Sequence, residues 1–426
     1  MTRDRPGASL SLPLEVVDPE IARLIAGESA RQQVTIDMVA SENFAPASVL
    51  QAQGSVLQNK YAVGYPGARH YDGCEFVDEV EKLAIERAKQ LFGADHANVQ
   101  PYSGSNANAA VLHALCEPGD AVLGFDFDHG GHPTHYSEET FAGRFYRGAC
   151  YGVRAEDRLI DLAEVAAIAR RHRPKVIFAG WSCYPRSLDF AGFRAIADEV
   201  GAYLVCDMAH FSGLVAAGLY PDPVPFADVC TLTVHKTLGG ARGGAILCRG
   251  ELAERIDAGV FPGDQGTPLM AVIAGKAVTF LLAGTEEFRD RMARTVAGAR
   301  TVAGALEAAS PETGVSVVTG GTDVHLLVCD TSGSDTSAEE MLANLHGVSV
   351  NANAMRIAYD TAEPPNSSGL RLGTASLATR GFDGAAFEEL GDILVEVLGP
   401  RGPSRHDELA RRTAKLAASF PVYPAR

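Results

Sequence analysis

The sequence predicts an α/β fold: a mainly parallel sheet sandwiched by helices, followed by a smaller C-terminal α+β domain. The runs "DAVLGFDF", "KVIFAGW", "AYLVCDM", "DVCTLTV" and "GGAILCR" are apolar almost throughout, as strands buried on both faces must be. They alternate with amphipathic stretches such as "LAEVAAIARRHR" and "FRAIADEVG", which places helices between parallel strands. After the Ala-rich run "RDRMARTVAGARTVAGALEAAS" the pattern changes to "GVSVVTGGTDVHLLVCD", a hairpin-like pair around Gly-Gly.

The elements follow in order. Residues 1–48 form an N-terminal arm with one good helix, "DPEIARLIAGESARQQ". Residues 49–299 form the large domain and 300–426 the small one, since 426 residues are too many for one small core. No fixed-period repeat or low-complexity linker interrupts them. A composition of 46% hydrophobic and 21% charged residues is ordinary for a globular enzyme. The net charge of −16 argues against nucleic acid or an anionic membrane as partner, while allowing a local basic pocket for one phosphate. "MTRDRPGASLSLPLEV" lacks the apolar core of a signal peptide. The longest apolar stretch, "AVIAGKAVTFLLAG", is broken by Lys276 and too short to span a bilayer. Eight irregularly spaced cysteines, without C-x-x-C, read as reduced thiols. A cytoplasmic enzyme is expected.

Three segments carry the chemistry. In "TLTVHKTLGGARGG" a strand ends at His235-Lys236. A partly desolvated lysine there has a lowered pKa and is poised for Schiff-base formation, the plain alternative being a surface lysine. In "AYLVCDMAHFSGL" Asp207 ends an apolar strand, where a carboxylate is costly without a partner. A pyridinium N–H is such a partner, and a helix N-cap is the alternative. In "NVQPYSGSNANAAVLHAL" a strand leads through Ser103-Gly104-Ser105 into a helix, and small residues at a helix N-terminus make an anion cup. Cup, carboxylate and lysine at successive strand ends are what a pyridoxal phosphate site requires. The run "DHGGHPTH" offers His129, His132 and His135 to a metal. Its Gly-Gly and Pro would break a helix and no matching ligand cluster follows, so no metal is expected, and one histidine stacking on an aromatic cofactor is more economical. Arg371 in "SSGLRLGTASLATRGF" has the fork that matches a substrate carboxylate, its alternative being a surface ion pair.

From about residue 14 onward the chain resembles serine hydroxymethyltransferase, a family of fold-type I pyridoxal phosphate enzymes with a seven-stranded type of sheet. The matching segments include "MVASENF", "YPGARHYDGCEFVDEVE", "HGGHPTH", "CDMAHFSGLVAAGLYP", "HKTLGGARGG", "FPGDQGTPL" and "SGLRLGT". The resemblance implies that Lys236 bonds pyridoxal 5'-phosphate, Asp207 pairs with its ring nitrogen and His132 stacks on the ring. It implies that Ser103, Gly104 and Ser105 hold the phosphate, with Ser182 and His210 near the phenolic oxygen. Ser41 and Arg371 would bind the amino-acid carboxylate, with Arg242 matching a family arginine and His235, His70 and Tyr71 beside the chemistry. Tyr61 and the Gly266-Thr267 loop would reach the neighbouring subunit's site, so a homodimer is implied.

The chain also departs from the family pattern. Val63 stands where the family has a glutamate that handles protons and serves folate-dependent one-carbon transfer, and valine moves no proton. His70 replaces the first of a Tyr-Tyr pair. Phe127 and Pro133 stand at usual leucines, Gly239 and Ala241 replace Arg and Pro, and Thr267 replaces a glycine. "NANAMRIAYDTAEPP" places Ala358 at a usual proline. These changes surround the folate side, so the leading expectation is folate-independent aldol or retro-aldol chemistry on serine, threonine and glycine through a glycyl quinonoid, as in a threonine aldolase or transaldolase. The alternative is serine hydroxymethyltransferase proper, with His70 taking over the glutamate's work. A third reading is a catalytically quiet homologue that acts as a binding partner, against which the retention of Lys236, Asp207, His132 and Arg371 argues.

Overall fold

The computed structural model describes residues 8–360, 362, 366–400 and 402–424. Parts of the expected arm, of the "NANAMRIAYDTAEPP" segment and of the C-terminal end therefore lie outside the described residues. The seven-stranded sheet runs in the spatial order His96–Asn98, Gly244–Cys248, Val229–Thr233, Tyr203–Asp207, Val176–Gly180, Ala121–Phe125, Arg147–Tyr151. Only Gly244–Cys248 runs against its neighbours. All five apolar runs of the sequence are strands of this sheet. The edge strand Arg147–Tyr151 has exposed and half-buried positions, which is why its sequence carries no continuous apolar signal.

Helices cover both faces. Leu162–His172 and Phe190–Val200 start on Asp161 and Asp189, which accept from the amides of Ala163 and Gly192. Phe190–Val200 stops at Gly201, whose φ of 72° is left-handed and suits glycine. A four-stranded antiparallel sheet built from Ser316–Val317, Leu326–Asp330, Gly369–Gly373 and Asn353–Met355 forms the second unit. Its first two strands are the hairpin read around Gly-Gly.

One helix belongs to both cores. Glu286–Thr313 sends Phe288, Met292 and Val296 into the core of the large sheet, and Val302, Ala303 and Leu306 into the core of the small one. Residue 300 lies inside this helix. The arm also enters the small core through Ile36 and Met38, and Ile36–Asp37 pairs in parallel with Val350–Asn351. Among the described residues no helix is long and apolar enough to cross a membrane.

Candidate active site

The functional side chains converge because parallel strands end on the same side of a sheet. Asp207 is the last residue of Tyr203–Asp207, Lys236 follows Val229–Thr233, Ser182 follows Val176–Gly180, and His132 lies beyond Ala121–Phe125.

Asp207 is buried, with 5% of its surface exposed. Its Oδ2 accepts from His135 Nε2 at 2.9 Å and Asn108 Nδ2 at 2.8 Å, and its Oδ1 from the Ala209 amide at 2.9 Å. Burial pushes this carboxyl up, but the hydrogen bond and charge of His135, with His132 and Asn108, hold it well below the usual carboxylate range. Each donor is itself fixed. His135 stacks on Phe178 with ring centroids 4.5 Å apart. Thr231 Oγ1 donates to Asn108 Oδ1 at 2.7 Å, which turns the amide's nitrogen toward Asp207 and Thr134.

The network continues to His132. Its Nδ1 lies 2.6 Å from Thr134 Oγ1 and accepts the Thr134 amide at 3.3 Å, so the ring proton belongs on Nε2. Burial, aided by His135 and Lys236, pushes His132 down to about 4. A neutral, oriented imidazole is what stacking on a flat cofactor requires.

Burial pushes Lys236 down to about 8, with Arg371 acting in the same sense and Asp207 opposing. Among the described residues its ammonium has no ion-pair partner, and its carbonyl is pinned by Asn43 Nδ2 at 2.9 Å and the Gly239 amide at 2.9 Å. Gly239 takes φ of 67°, and a Cβ there would meet Asn43 Nδ2 at 3.0 Å. His210 is buried beside this lysine, between Trp181 at 5.8 Å and His325 at 5.6 Å, with no hydrogen-bond partner for Nδ1 among the described residues. Burial, and then Lys236, Arg371, His325 and His132, push it well below the ordinary histidine value. Lys236, Arg371, His132 and His210 thus lie near enough for the charges of Lys236 and Arg371 to act on their neighbours.

Ser103 caps the twelve-residue helix Gly104–Leu115, its Oγ accepting the Asn106 amide at 3.1 Å. The turn is closely approached: a Cβ on Gly104 would sit 2.5 Å from Thr233 Oγ1, and one on Gly244 2.4 Å from the Ser103 carbonyl. Arg371 donates from Nε to Asn353 Oδ1 at 3.0 Å and from Nη1 to the Ser182 carbonyl at 3.1 Å. This joins the small sheet to the large-sheet loop that carries Ser182.

The other expected residues lie elsewhere. Ser41 lines a cavity of about 320 Å³ together with His235 and Arg242. His235 Nε2 is 3.3 Å from Arg242 Nη1, and burial with the charges of Arg242 and Lys236 pushes it down to about 3. Tyr61 and Tyr71 are 56% and 52% exposed and meet edge to face at 5.3 Å. The His70 amide donates to the Val63 carbonyl at 2.9 Å, and its ring lies against Phe261 at 5.8 Å. Gly266 is exposed, and the Thr267 carbonyl accepts from Tyr102 Oη at 2.6 Å. None of these rim residues hydrogen-bonds Lys236, Asp207 or His132.

Sequence reasoning missed His135, Asn108 and His325. His135 stands in "HGGHPTH", where the local pattern offers it to a metal and gives no sign of its bond to Asp207. Asn108 interrupts an otherwise apolar helix face, which is the signal of a buried polar partner.

These residues fit pyridoxal phosphate. Asp207 is held ionised for a ring N–H, Lys236 offers an unpaired amine of lowered pKa, and the glycine turn ends at a helix N-terminus. Among the described residues, buried His210 Nδ1 and Ser212 Oγ have no hydrogen-bond partner.

The family model described as serine hydroxymethyltransferase matches residues 14–394. A protein of Kineococcus radiotolerans named serine hydroxymethyltransferase is 55% identical over 414 residues, covering 97% of this chain and 95% of that one. One of Nocardia farcinica with the same name is 56% identical over 408 residues, covering 96% and 94%. One of Corynebacterium glutamicum, also so named, is 54% identical over 412 residues, covering 96% and 95%.

Proposed function

The chain belongs to the serine hydroxymethyltransferase family, and on that premise we propose that it interconverts serine and glycine by pyridoxal phosphate-dependent hydroxymethyl transfer. The observation that carries this reading is the convergence, beyond the ends of neighbouring parallel strands, of Lys236, whose ammonium has no ion-pair partner among the described residues, and Asp207, whose carboxylate is held by His135, Asn108 and the Ala209 amide. When bound, pyridoxal phosphate supplies a sink for the electrons left at Cα as a bond to that carbon breaks. Asp207 holds the proton at the ring nitrogen, and His135 and Asn108 keep it charged and aimed. His132 presents a neutral face to the ring. Lys236 would hold the cofactor through its amine, and a pKa of about 8 leaves a usable fraction of that amine unprotonated at neutral pH. The Ser103–Gly104–Ser105 turn receives the phosphate, and Arg371 the amino-acid carboxylate.

This reading replaces the transaldolase expectation as the leading one, because the identities of 54–56% extend over nearly the whole chain. The folate-independent aldolase or transaldolase reading is favoured by one observation. Val63 is an aliphatic residue in the loop where the resemblance calls for a carboxylate, and only its backbone carbonyl engages His70. A second copy of the chain completes the proposal. Helix Pro19–Val34 buries none of its residues and leaves Leu24 and Ile25 at 51% and 57% exposure, beside the exposed Tyr61 and Tyr71 elsewhere on the surface. The division into arm, large domain and small domain belongs to the same proposal, with Glu286–Thr313 as shared spine.

The test is serine cleavage by the purified holoenzyme with and without tetrahydrofolate. Turnover that depends on folate supports hydroxymethyl transfer. Threonine cleavage that is faster than serine turnover and indifferent to folate supports the aldolase reading instead.

A further inference from the structure

A run of buried charged side chains joins the 61–71 loop to the turn that opens the phosphate cup, and none of them hydrogen-bonds Lys236, Asp207 or His132. Arg69, its side chain 3% exposed, donates from Nε to Asp78 at 2.8 Å and from Nη2 to Glu81 at 2.6 Å. Its Nη1 donates to the carbonyls of Ala62 at 3.0 Å and Gly64 at 2.6 Å, one on each side of Val63. Asp78 and Glu81 lie one turn apart on helix Glu75–Phe92. Glu81, fully buried, also accepts from Gln100 Nε2 at 2.7 Å, and the same nitrogen donates to the Gly64 carbonyl at 3.0 Å.

Lys276 holds the other side of Gln100. It is buried within helix Met270–Ala283 and donates to the carbonyls of Val99 at 2.7 Å, Pro101 at 2.9 Å and Gly244 at 2.8 Å. Three acceptors satisfy the three hydrogens of an ammonium. A Cβ at Gly243 would fall 2.5 Å from Lys276 Cε, so the chain is closed down onto this side chain. Two residues beyond Pro101 the chain reaches Ser103. Gln265 ties in a third loop, donating to the Gln100 carbonyl at 3.1 Å and accepting the Tyr102 amide at 2.9 Å. Buried ions are expensive, and apolar residues of similar volume stabilise a core as well or better. Packing alone therefore does not account for these.

We propose that Arg69, Glu81 and Lys276 are positioning residues that lock the 61–71 loop and the Ser103–Ser105 cup into one rigid unit, so that the two are set together. The inference rests on the reading of that cup as the phosphate seat. The sole tryptophan, Trp181, stacks on His210 beside Lys236, so its fluorescence is the expected readout of cofactor binding. Apoprotein is titrated with pyridoxal phosphate for the parent, Arg69→Lys, Ser103→Ala and the double variant. Arg69→Lys keeps the charge but loses the fork, and is expected to weaken binding about tenfold. The double variant is expected to bind no more weakly than the worse single one, because Arg69 acts through the cup. Independent, multiplying losses, or unchanged affinity in folded Arg69→Lys, overturn the proposal. Unchanged affinity in Ser103→Ala rejects the phosphate seat itself, and the proposal with it. Glu81→Gln carries the same test if Arg69→Lys does not fold.

Discussion

Around Asp207 the donors come from within the chain: His135, Asn108 and the Ala209 amide all reach its carboxylate, and Thr231 and Phe178 hold two of them in place. The 61–71 loop has the opposite character. Its backbone is held firmly by Arg69, yet Tyr61 and Tyr71 point their rings outward and remain more than half exposed. The centre is a finished electrostatic device, whereas the loop is a rigid mount whose side chains await what comes against them. Groups that set protonation states must be desolvated and satisfied together, so one chain builds them whole. Groups that meet a substrate or a second copy can stay on the rim.

Variants of the centre should therefore be far more damaging than variants of the loop. Lys236→Ala is expected to lower serine turnover on the order of 10³-fold, since it removes the amine that lies beside Asp207 and His132. Turnover kinetics with visible absorbance of the protein-bound cofactor check this. Asp207→Asn should cost about 10²-fold, because an amide cannot hold a proton at the ring nitrogen by charge. A loss of less than a few-fold would remove Asp207 from that role.

His135→Phe probes the support rather than the charge. Losing a hydrogen bond to a buried carboxylate should destabilise the fold by about 1.5–3 kcal/mol, read from denaturant midpoints. Asp207 has a folded pKa below its unfolded value, so its contribution is full above about 4 and lost as pH falls through the folded pKa. The variant should show a shallower acid-side loss of stability than the parent. The apoprotein's rate of cofactor capture should rise roughly tenfold per pH unit up to about 8, where Lys236 titrates, and then level off.

Val63→Glu is the smallest expected effect and sharpens the comparison most. A carboxylate on a mount already fixed by Arg69 is expected to raise folate-dependent serine turnover about tenfold. No gain would mean that Val63 does not limit the transfer.

Much of this architecture was legible in the sequence. Strands buried on both faces announce themselves as continuous apolar runs, and Asp207 and Lys236 stood out as polar residues ending such runs. Arg147–Tyr151 was not legible, because this edge strand begins with exposed Arg147 and Gly148 and buries only Tyr151 fully. The Ala-rich run within Glu286–Thr313 is legible as a helix, but its sharing between two cores is not, since periodicity shows an apolar stripe but not which core receives each half of it. His135 carried a signal that invited a metal reading, while its partner lay 72 residues away at Asp207. Long-range pairings of that kind, like Arg69 with Glu81, leave no mark in local pattern.

The most direct measurement is formaldehyde-equivalent transfer from L-serine by the holoenzyme, followed with and without tetrahydrofolate and compared with L-threonine cleavage under the same conditions. Serine turnover is expected to require folate and to exceed threonine cleavage. Threonine cleavage that outpaces serine turnover and ignores folate would contradict hydroxymethyl transfer.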